Sequence, residues 1–255
     1  MLGDPISHSL SPLLHNAAFA ATGLDGTYEA RRVNAAGLTA AVAEIRTGRL
    51  DGGNVTMPHK ELASRICDRL AATGARAGAV NTLVRVGRGV VGHNTDIAGI
   101  RAAWAAAELP AAGAVLILGA GGAAAAAVLA LEGRDLTVSS RRPQAARNLL
   151  TRLAVAAAVV PWGTAVPDAV VVNATPLGMH GEVLPAGPLS GAAGLFDMAY
   201  GSGETASVRE MTERGLPTAD GKSMLLHQAA AAFELWTGRA APLSAMRAAL
   251  DSPAS

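Results

Sequence analysis

Three short polar clusters occupy the first hundred residues, and each adjoins a stretch that reads as a strand or a turn. They are Gly3-Asp-Pro5-Ile-Ser-His-Ser9-Leu-Ser11-Pro12, Asn54-Val-Thr56-Met-Pro58-His-Lys60, and Asn81-Thr82 together with Asn94-Thr-Asp96. Loops of this kind carry binding and catalytic groups when a rigid scaffold holds them, and these side chains can converge on one cleft. Taken singly, Lys60 after a proline reads as a solvent-exposed helix start, and Asp96 as a cap for the helix after it.

A second chemical signal lies further on. Val115-Leu-Ile-Leu-Gly119-Ala120-Gly121-Gly122-Ala123 follows a strand-like run and opens a helix-like one, the setting a dinucleotide fingerprint requires. Its glycines permit a tight turn and let backbone N–H groups approach a pyrophosphate, which a helix N-terminus favours. The run departs from G-x-G-x-x-G at Ala124, and glycine turns also occur for steric reasons alone. At the end of the next strand, NAD sites offer a carboxylate to the ribose 2′-OH. Here the chain reads Thr137-Val-Ser-Ser140-Arg141-Arg142-Pro143, with no acid and two guanidinium groups. Such groups pair with a 2′-phosphate through bidentate hydrogen bonds, so NADP is expected over NAD; the plain alternative is a solvated basic loop.

The elements that must position these residues alternate between strand and helix. Ser11 to Thr22 is helix-like, with Pro12 in its first turn and Gly23 as its stop. Leu38 to Thr47 is a second amphipathic helix, Gly53 to Thr56 a short strand, and Lys60 to Thr73 a third helix. Ala79 to Arg85 and Val90 to Gly92 form a hairpin about Gly87 and Gly89. From Ile97 a second alternation begins: helix to Glu108, strand Ala114 to Leu118, helix Ala123 to Leu131. Apolar strand-length runs follow at Leu136 to Ser139, around Val159, at Ala169 to Asn173 and at Leu195 to Met198, and a long helix spans Lys222 to Trp236. Continuous apolar strands separated by helices imply a parallel sheet covered on both faces. The expected fold class is α/β in two domains: an N-terminal α/β domain and a Rossmann-type domain, with the C-terminal helices packing back on the first. The expected bounds are 1–97 plus 222–255, and 98–221.

Composition narrows the function classes. With 50% hydrophobic and only 16% charged residues, a folded globular protein is expected rather than a disordered one. A net charge of +1 gives no electrostatic reason to expect nucleic acid or an anionic membrane as partner. The uncharged run from Ala111 to Leu131 has the length of a membrane span, roughly 20 residues. Its glycine cluster after a β-rich stretch reads instead as strand, turn and helix. The start has no signal-peptide pattern, and the lone Cys67 fits a reducing compartment, so a cytoplasmic location is expected. Cys67 reads as a small buried filler in mid-helix. The histidines show no metal-ligand spacing, so no metal is expected; His8 and His15 are expected to shape the first loop and helix.

Together the clusters resemble the shikimate dehydrogenase family. The matches are the G-[DN]-P-I-x-H-S-x-S-P-x-x-H-N opening, N-V-T-x-P-x-K, A-G-A-V-N-T and N-T-D. Later come Gly119 to Ala123, Asn173-Ala-Thr-Pro-Leu-Gly-Met179, Asp197-Met-Ala-Tyr200 and Asp220-Gly-Lys-Ser-Met-Leu-Leu-His-Gln228, in the family's order and over nearly the whole chain. The resemblance implies NADP-dependent, reversible reduction of 3-dehydroshikimate to shikimate, in the biosynthesis of chorismate and aromatic amino acids. It implies a small-molecule substrate as partner and a monomer or homodimer. An NAD-preferring quinate/shikimate dehydrogenase and a catalytically idle NADP-binding protein are the alternatives.

The family's roles fall on matching residues. Ser9 and Ser11 match the pair holding the substrate carboxylate, and two hydroxyls two residues apart suit its two oxygens. Tyr200 resembles a further ligand there. Thr56, Asn81, Asp96 and Gln228 match groups that hydrogen-bond the ring hydroxyls. Lys60 matches the catalytic lysine, whose ammonium can stabilise and protonate the oxygen that gains charge on hydride delivery. Asp96 is its partner, and which of the two transfers the proton stays open. Gly119, Ala120, Gly121, Gly122, Ala123, Ser140, Arg141 and Arg142 match the NADP-binding segments, and Met198 and Gly221 resemble positions lining the nicotinamide. Asn173 and Thr175 fit either cofactor contact or simple strand termination. The chain departs from the family at Ile97, where glycine is frequent, and at Ser140 and Arg142 beside the retained arginine. It also departs before Gly3: either residues precede Met1, or the first strand is missing and the fold weakened.

Overall fold

A computed structural model describes residues 1–6, 9–201 and 203–252; His8 lies outside the described residues. The chain divides into two compact units, residues 1–99 with 225–255 and residues 100–224.

The first unit opens with β1 (Leu2–Gly3), α1 (Ser11–Thr22), β2 (Arg31–Arg32), α2 (Ala35–Thr47) and β3 (Gly52–Asn54). It continues through α3 (Lys60–Ile66), β4 (Arg69–Leu70), α4 (Ala72–Ala77), β5 (Thr82–Val86) and β6 (Gly89–His93). β3, β5 and β6 are antiparallel neighbours, and β4 adds in parallel to β6. A first strand, left open between a later start and a missing element, is present here as two residues: β1 pairs in parallel with β2, and Leu2 bridges to Val55. Leu2, Leu38, Val42, Ile45, Val55, Val80, Leu83 and Val90 form the buried core. Asn34 caps α2 by accepting from Gly37 N at 2.9 Å, the N-cap interaction that offsets an unpaired helical donor.

One expected helix breaks. Lys60 to Thr73 reads as continuous, yet the chain turns extended at Cys67 and runs through β4 before α4 begins. Arg46 of α2 braces the chain at the break, donating to Ile66 O at 2.9 Å and gripping the Asp68 carboxylate at 3.0 Å. Asp68 N–H then pairs with Val90 O at 3.0 Å, which commits to β6 a donor that the helix would need. Cys67 is therefore a half-buried helix end against the core and not a mid-helix filler.

α5 (Asp96–Ala106) leads into the second unit, which contains β7 (Ala114–Leu118), α6 (Gly122–Ala130), β8 (Asp135–Ser139), α7 (Pro143–Leu153) and β9 (Ala158–Val160). Then follow β10 (Val170–Asn173), α8 (Ala186–Ser190), β11 (Gly194–Asp197), α9 (Ala206–Glu213), β12 (Thr218–Ala219) and α10 (Gly221–Thr237). The sheet is parallel throughout in the order β12-β11-β10-β7-β8-β9. That is the doubly wound order, which places a crevice where the winding reverses, at the carboxyl ends of β7 and β10. The alanines of α6 from Ala124 to Ala127 are fully buried, and such small side chains let the helix approach its neighbours closely. The uncharged run from Ala111 to Leu131 thus resolves into β7, a turn and α6. Among the described residues no helix is long and apolar enough to cross a membrane. The last helix, α11 (Leu243–Asp251), belongs to the first unit and lies against α1.

Candidate active site

Lys60 is the first residue of α3 and Asp96 the first of α5, and the fold of the first unit brings them together. Lys60 Nζ donates to Asp96 Oδ2 at 2.7 Å; the lysine side chain is 27% exposed and the aspartate 8%. An ammonium that is reachable, paired to a carboxylate that is not, suits proton delivery to a bound small molecule. Asp96 lies in the first turn of α5, where the helix dipole favours its charge, and not at the cap before it.

Asn81 organises the pair. Its Nδ2 donates to Asp96 Oδ1 at 2.8 Å and to Gln228 Oε1 at 3.3 Å. Its Oδ1 accepts from Thr95 N at 2.8 Å and from Thr82 Oγ1 at 3.0 Å. Since the oxygen faces a backbone N–H, the amide has one sensible orientation. Below it, Asn54 Nδ2 donates to Asn81 O and to Thr82 Oγ1, while Tyr28 O–H donates to Asn54 Oδ1 at 2.6 Å. A buried polar network satisfied at each of these steps is rigid. Thr82 and Thr95 stand in clusters already quoted, but their role becomes visible only through the shared Asn81. Tyr28 lies in no motif and carried no signal.

Ser9 and Ser11 flank the start of α1. Ser11 N donates to Ser9 Oγ at 3.3 Å, while Ser11 Oγ is fully buried and has no hydrogen-bond partner. A buried orphan hydroxyl is costly and marks a place where a ligand oxygen fits. Thr56 is held by its N–H to Leu2 O at 2.9 Å. Gly3 packs so closely on Thr56 that any Cβ there would collide with the threonine methyl. Lys60, Asp96, Asn81 and Gln228 are thus joined directly by hydrogen bonds, with Ser9, Ser11 and Thr56 in the same unit.

The remaining sequence-identified residues lie in the second unit. Gly119 ends β7 at φ 121°, and a Cβ there would lie 2.9 Å from Ala174 O beyond β10, so only glycine fits at this reversal point. Gly121 and Gly122 are exposed with open space where a Cβ would project, and α6 starts after Gly121 without a side-chain cap. With Ala120 and Ala123 these form an uncluttered helix N-terminus, the chemistry a pyrophosphate needs. After β8, Ser140 Oγ accepts from Arg142 N at 3.1 Å, Arg141 and Arg142 are exposed, and the strand end carries no carboxylate. The donor set therefore fits a dinucleotide with a 2′-phosphate.

Gly221 and Met198 also meet. A Cβ on Gly221 would lie 2.7 Å from Ala199 O and 2.8 Å from Met198 O. Tyr200 lines a nearby cavity of about 150 Å³ with Thr205, Asp220 and Lys222. Beneath it Asp197 is fully buried, accepting from Thr205 Oγ1 at 2.6 Å, Asn173 Nδ2 at 2.7 Å and Ala199 N at 3.0 Å. Burial raises the Asp197 carboxyl above its usual range despite these donors. Asn173 commits its side chain to Asp197, to Leu177 O and to Thr175, which makes it a strand-end clamp. Among the described residues no group of three potential ligands could hold a metal ion.

Comparison with known proteins agrees on one family. Residues 1–83 match the shikimate dehydrogenase substrate binding domain, and residues 221–250 the shikimate 5′-dehydrogenase C-terminal domain. A shikimate dehydrogenase (NADP(+)) of Moorella thermoacetica is 40% identical over 264 residues, covering 96% of this chain and 90% of that protein. The shikimate 5-dehydrogenase of Thermus thermophilus, solved in complex with NADP(H) and shikimate, has a TM-score of 0.89 at 37% identity, covering 97% of this chain and 96% of that one. A ligand-free 5-ketofructose reductase of a Gluconobacter species also reaches 0.89, at 26% identity, covering 98% of this chain and 96% of that one. One fold thus serves different carbonyl substrates, and the site residues must decide among them.

Proposed function

The chain belongs to the shikimate dehydrogenase family, and from that premise we infer that it catalyses the NADP-dependent, reversible reduction of 3-dehydroshikimate to shikimate. The carrying observation is the 2.7 Å pair of Lys60 and Asp96, with Asn81 and Gln228 fixed beside it.

Bound NADPH supplies the hydride to the C3 carbonyl carbon. As that carbon gains hydride its oxygen gains charge, and the Lys60 ammonium stabilises the oxygen and delivers the proton. Asp96 holds the ammonium in place and, with Asn81, Thr56 and Gln228, reads the ring hydroxyls. Such a site discriminates against an analogue lacking a hydroxyl, because its buried polar groups would be left unpaired. Ser9 and Ser11, with Tyr200, take the carboxylate. On the cofactor side, Gly119, Ala120, Gly121, Gly122 and Ala123 hold the pyrophosphate. Ser140, Arg141 and Arg142 hold the 2′-phosphate, and Met198 and Gly221 line the nicotinamide. Residues 1–97 with 222–255 accordingly form the substrate domain, and residues 98–221 the NADP domain.

The test is direct. Purified protein should oxidise shikimate with NADP much faster than with NAD, and quinate should be a poor substrate. Lys60→Ala is expected to lose turnover severely while shikimate binding, read by calorimetry, changes less. A Lys60→Ala protein with turnover near wild type would overturn this mechanism.

A further inference from the structure

Tyr28 stands at the head of a buried chain of hydrogen bonds that ends on Asp96. Its O–H donates to Asn54 Oδ1 at 2.6 Å, and Asn54 Nδ2 donates to Thr82 Oγ1 at 3.0 Å. Thr82 Oγ1 donates to Asn81 Oδ1 at 3.0 Å, and Asn81 Nδ2 to Asp96 Oδ1 at 2.8 Å. All five side chains are buried and belong to the first unit.

The direction of donation is fixed along the chain. Asn54 Nδ2 also faces Asn81 O at 3.2 Å, an oxygen that can only accept, so Asn54 must present its own oxygen to Tyr28. Burial pushes the Tyr28 phenol up, so it stays protonated and donates. Thr82 Oγ1 receives the Asn54 N–H and turns its proton toward Asn81 Oδ1, to which Thr95 Oγ1 also donates at 3.2 Å. Each bond therefore points toward the Asp96 carboxylate, and an amide that accepts at oxygen becomes a stronger donor at nitrogen.

Packing alone does not call for the hydroxyl. The Tyr28 ring stacks on His15 at a centroid distance of 4.3 Å and lies 5.9 Å from the Trp236 ring, contacts that phenylalanine would keep. Its backbone is held by Asn16, whose amide accepts from Tyr28 N at 2.8 Å and donates to Tyr28 O at 3.0 Å. Ring and backbone are thus pinned without the phenol, and what the phenol adds is a donor for a buried amide oxygen.

We propose that Tyr28 is a positioning residue for proton transfer: through Asn54, Thr82 and Asn81 its hydroxyl fixes the Asp96 carboxylate, and with it the Lys60 ammonium that delivers the proton. Without the phenol, Asn54 Oδ1 is a buried acceptor with nothing to accept, and the amide shifts to relieve that cost, disturbing Thr82 and Asn81 beyond it. This rests on the reading of Lys60 and Asp96 as the catalytic pair.

Tyr28→Phe, Thr82→Val and the double variant are compared with wild type by kcat and by KM for shikimate and NADP, with thermal melting in parallel. Tyr28→Phe is expected to lower kcat about tenfold, the scale of one lost hydrogen bond, with both KM values within about threefold. kcat carries the loss because the ammonium must be placed most closely when charge develops on oxygen. In the Thr82→Val background, where the chain is already cut, the same change should cost less than about twofold more. Placing 4-aminophenylalanine at position 28 restores an N–H donor and should recover most of the lost kcat. 4-Methylphenylalanine, similar in shape but without a donor, should not. That pair carries the question if Tyr28→Phe fails to fold. A lowered melting temperature with unchanged kcat, a loss confined to KM, equal kcat for the amino and methyl analogues, or fully additive losses with Thr82→Val overturns the proposal. If Lys60→Ala keeps turnover near wild type, the reading of the pair falls and this inference with it; if Lys60→Ala is inactive while Tyr28→Phe keeps its kcat, this inference alone falls.

Discussion

Asn81 donates to one oxygen of Asp96 at 2.8 Å while Lys60 takes the other at 2.7 Å, so both carboxylate oxygens have an assigned partner. Asn81 cannot turn away, because its own oxygen is held by Thr95 N–H and the Thr82 hydroxyl. The lysine is therefore aimed at second hand. Asn81→Ala strands a buried N–H at Thr95 and should cost about 1–3 kcal/mol of stability in a denaturant melt. By letting Asp96 and Lys60 drift, it should also lower kcat/KM by about a hundredfold. Stability lost with kcat/KM intact would show that Asn81 merely fills the core.

Gly221, proposed to line the nicotinamide, is fitted as tightly. A methyl group there would sit 2.7 Å and 2.8 Å from two backbone carbonyl oxygens, which have no flexible end to move aside. Gly221→Ala should shift the backbone at Met198 and Ala199, cost about 1–3 kcal/mol, and raise the KM for NADP several-fold with little change for shikimate. Gly3→Ala is the counterpart, because its methyl would strike Thr56: there the shikimate KM should rise and the NADP KM should not. Equal effects on both ligands from either variant would point to general unfolding.

Much of this is legible in the sequence, for a physical reason. α1, the β5–β6 hairpin, β7 and its glycine turn declare themselves through local signals: Pro12 and Gly23 at the helix ends, Gly87 at a turn, four apolar residues before Gly119. β1, β2 and β12 have two residues each, too few for any alternation to register. The chain after Ile66 is tied to Arg46, twenty residues earlier, and to Val90 in β6, contacts that periodicity within the segment could not reveal. The site divides likewise. The candidate ligand residues stand in recognisable strings, whereas the bonds that fix them, Tyr28 to Asn54 and Asn81 to Gln228, span 26 and 147 residues. Asn173 fits two roles in the sequence, and the structure commits its amide within its own unit.

The proposed NADP preference places the 2′-phosphate against the charge at the end of β8. Arg141 lies 6.0 Å from the Trp162 ring, at the limit of a cation–π contact, and Arg142 is exposed beside Ser140. Each guanidinium that pairs with the 2′-phosphate contributes about 1.5–3 kcal/mol. Arg141→Ala and Arg142→Ala should each weaken binding of 2′,5′-ADP by about tenfold or more, leave 5′-AMP binding nearly unchanged, and steepen together in the double variant. Rising salt should weaken wild-type binding of 2′,5′-ADP, since exposed charges are screened. Unchanged 2′,5′-ADP affinity in the double variant would remove both arginines from the phosphate site.

His15 also sets an acid limit on stability. Its pKa falls from 6.5 to about 3 on burial. Below pH 6.5 the unfolded chain takes up a proton that the folded chain refuses, so stability is lost progressively as pH falls from 6.5 toward 3. One such proton is worth about 1.4 kcal/mol per pH unit. His93 and His227 are also lowered by burial and act with the same sign. Asp197, raised by burial, acts oppositely, because protonation relieves the cost of its buried charge as pH drops through its folded pKa. All three remain in His15→Phe, so they cancel when its melting temperature is compared with wild type at each pH. The difference should move in favour of the variant by about 2–3 kcal/mol between about pH 6.5 and 4.5. A difference that stays flat over that range would mean that the folded protein accommodates a charged imidazole at position 15.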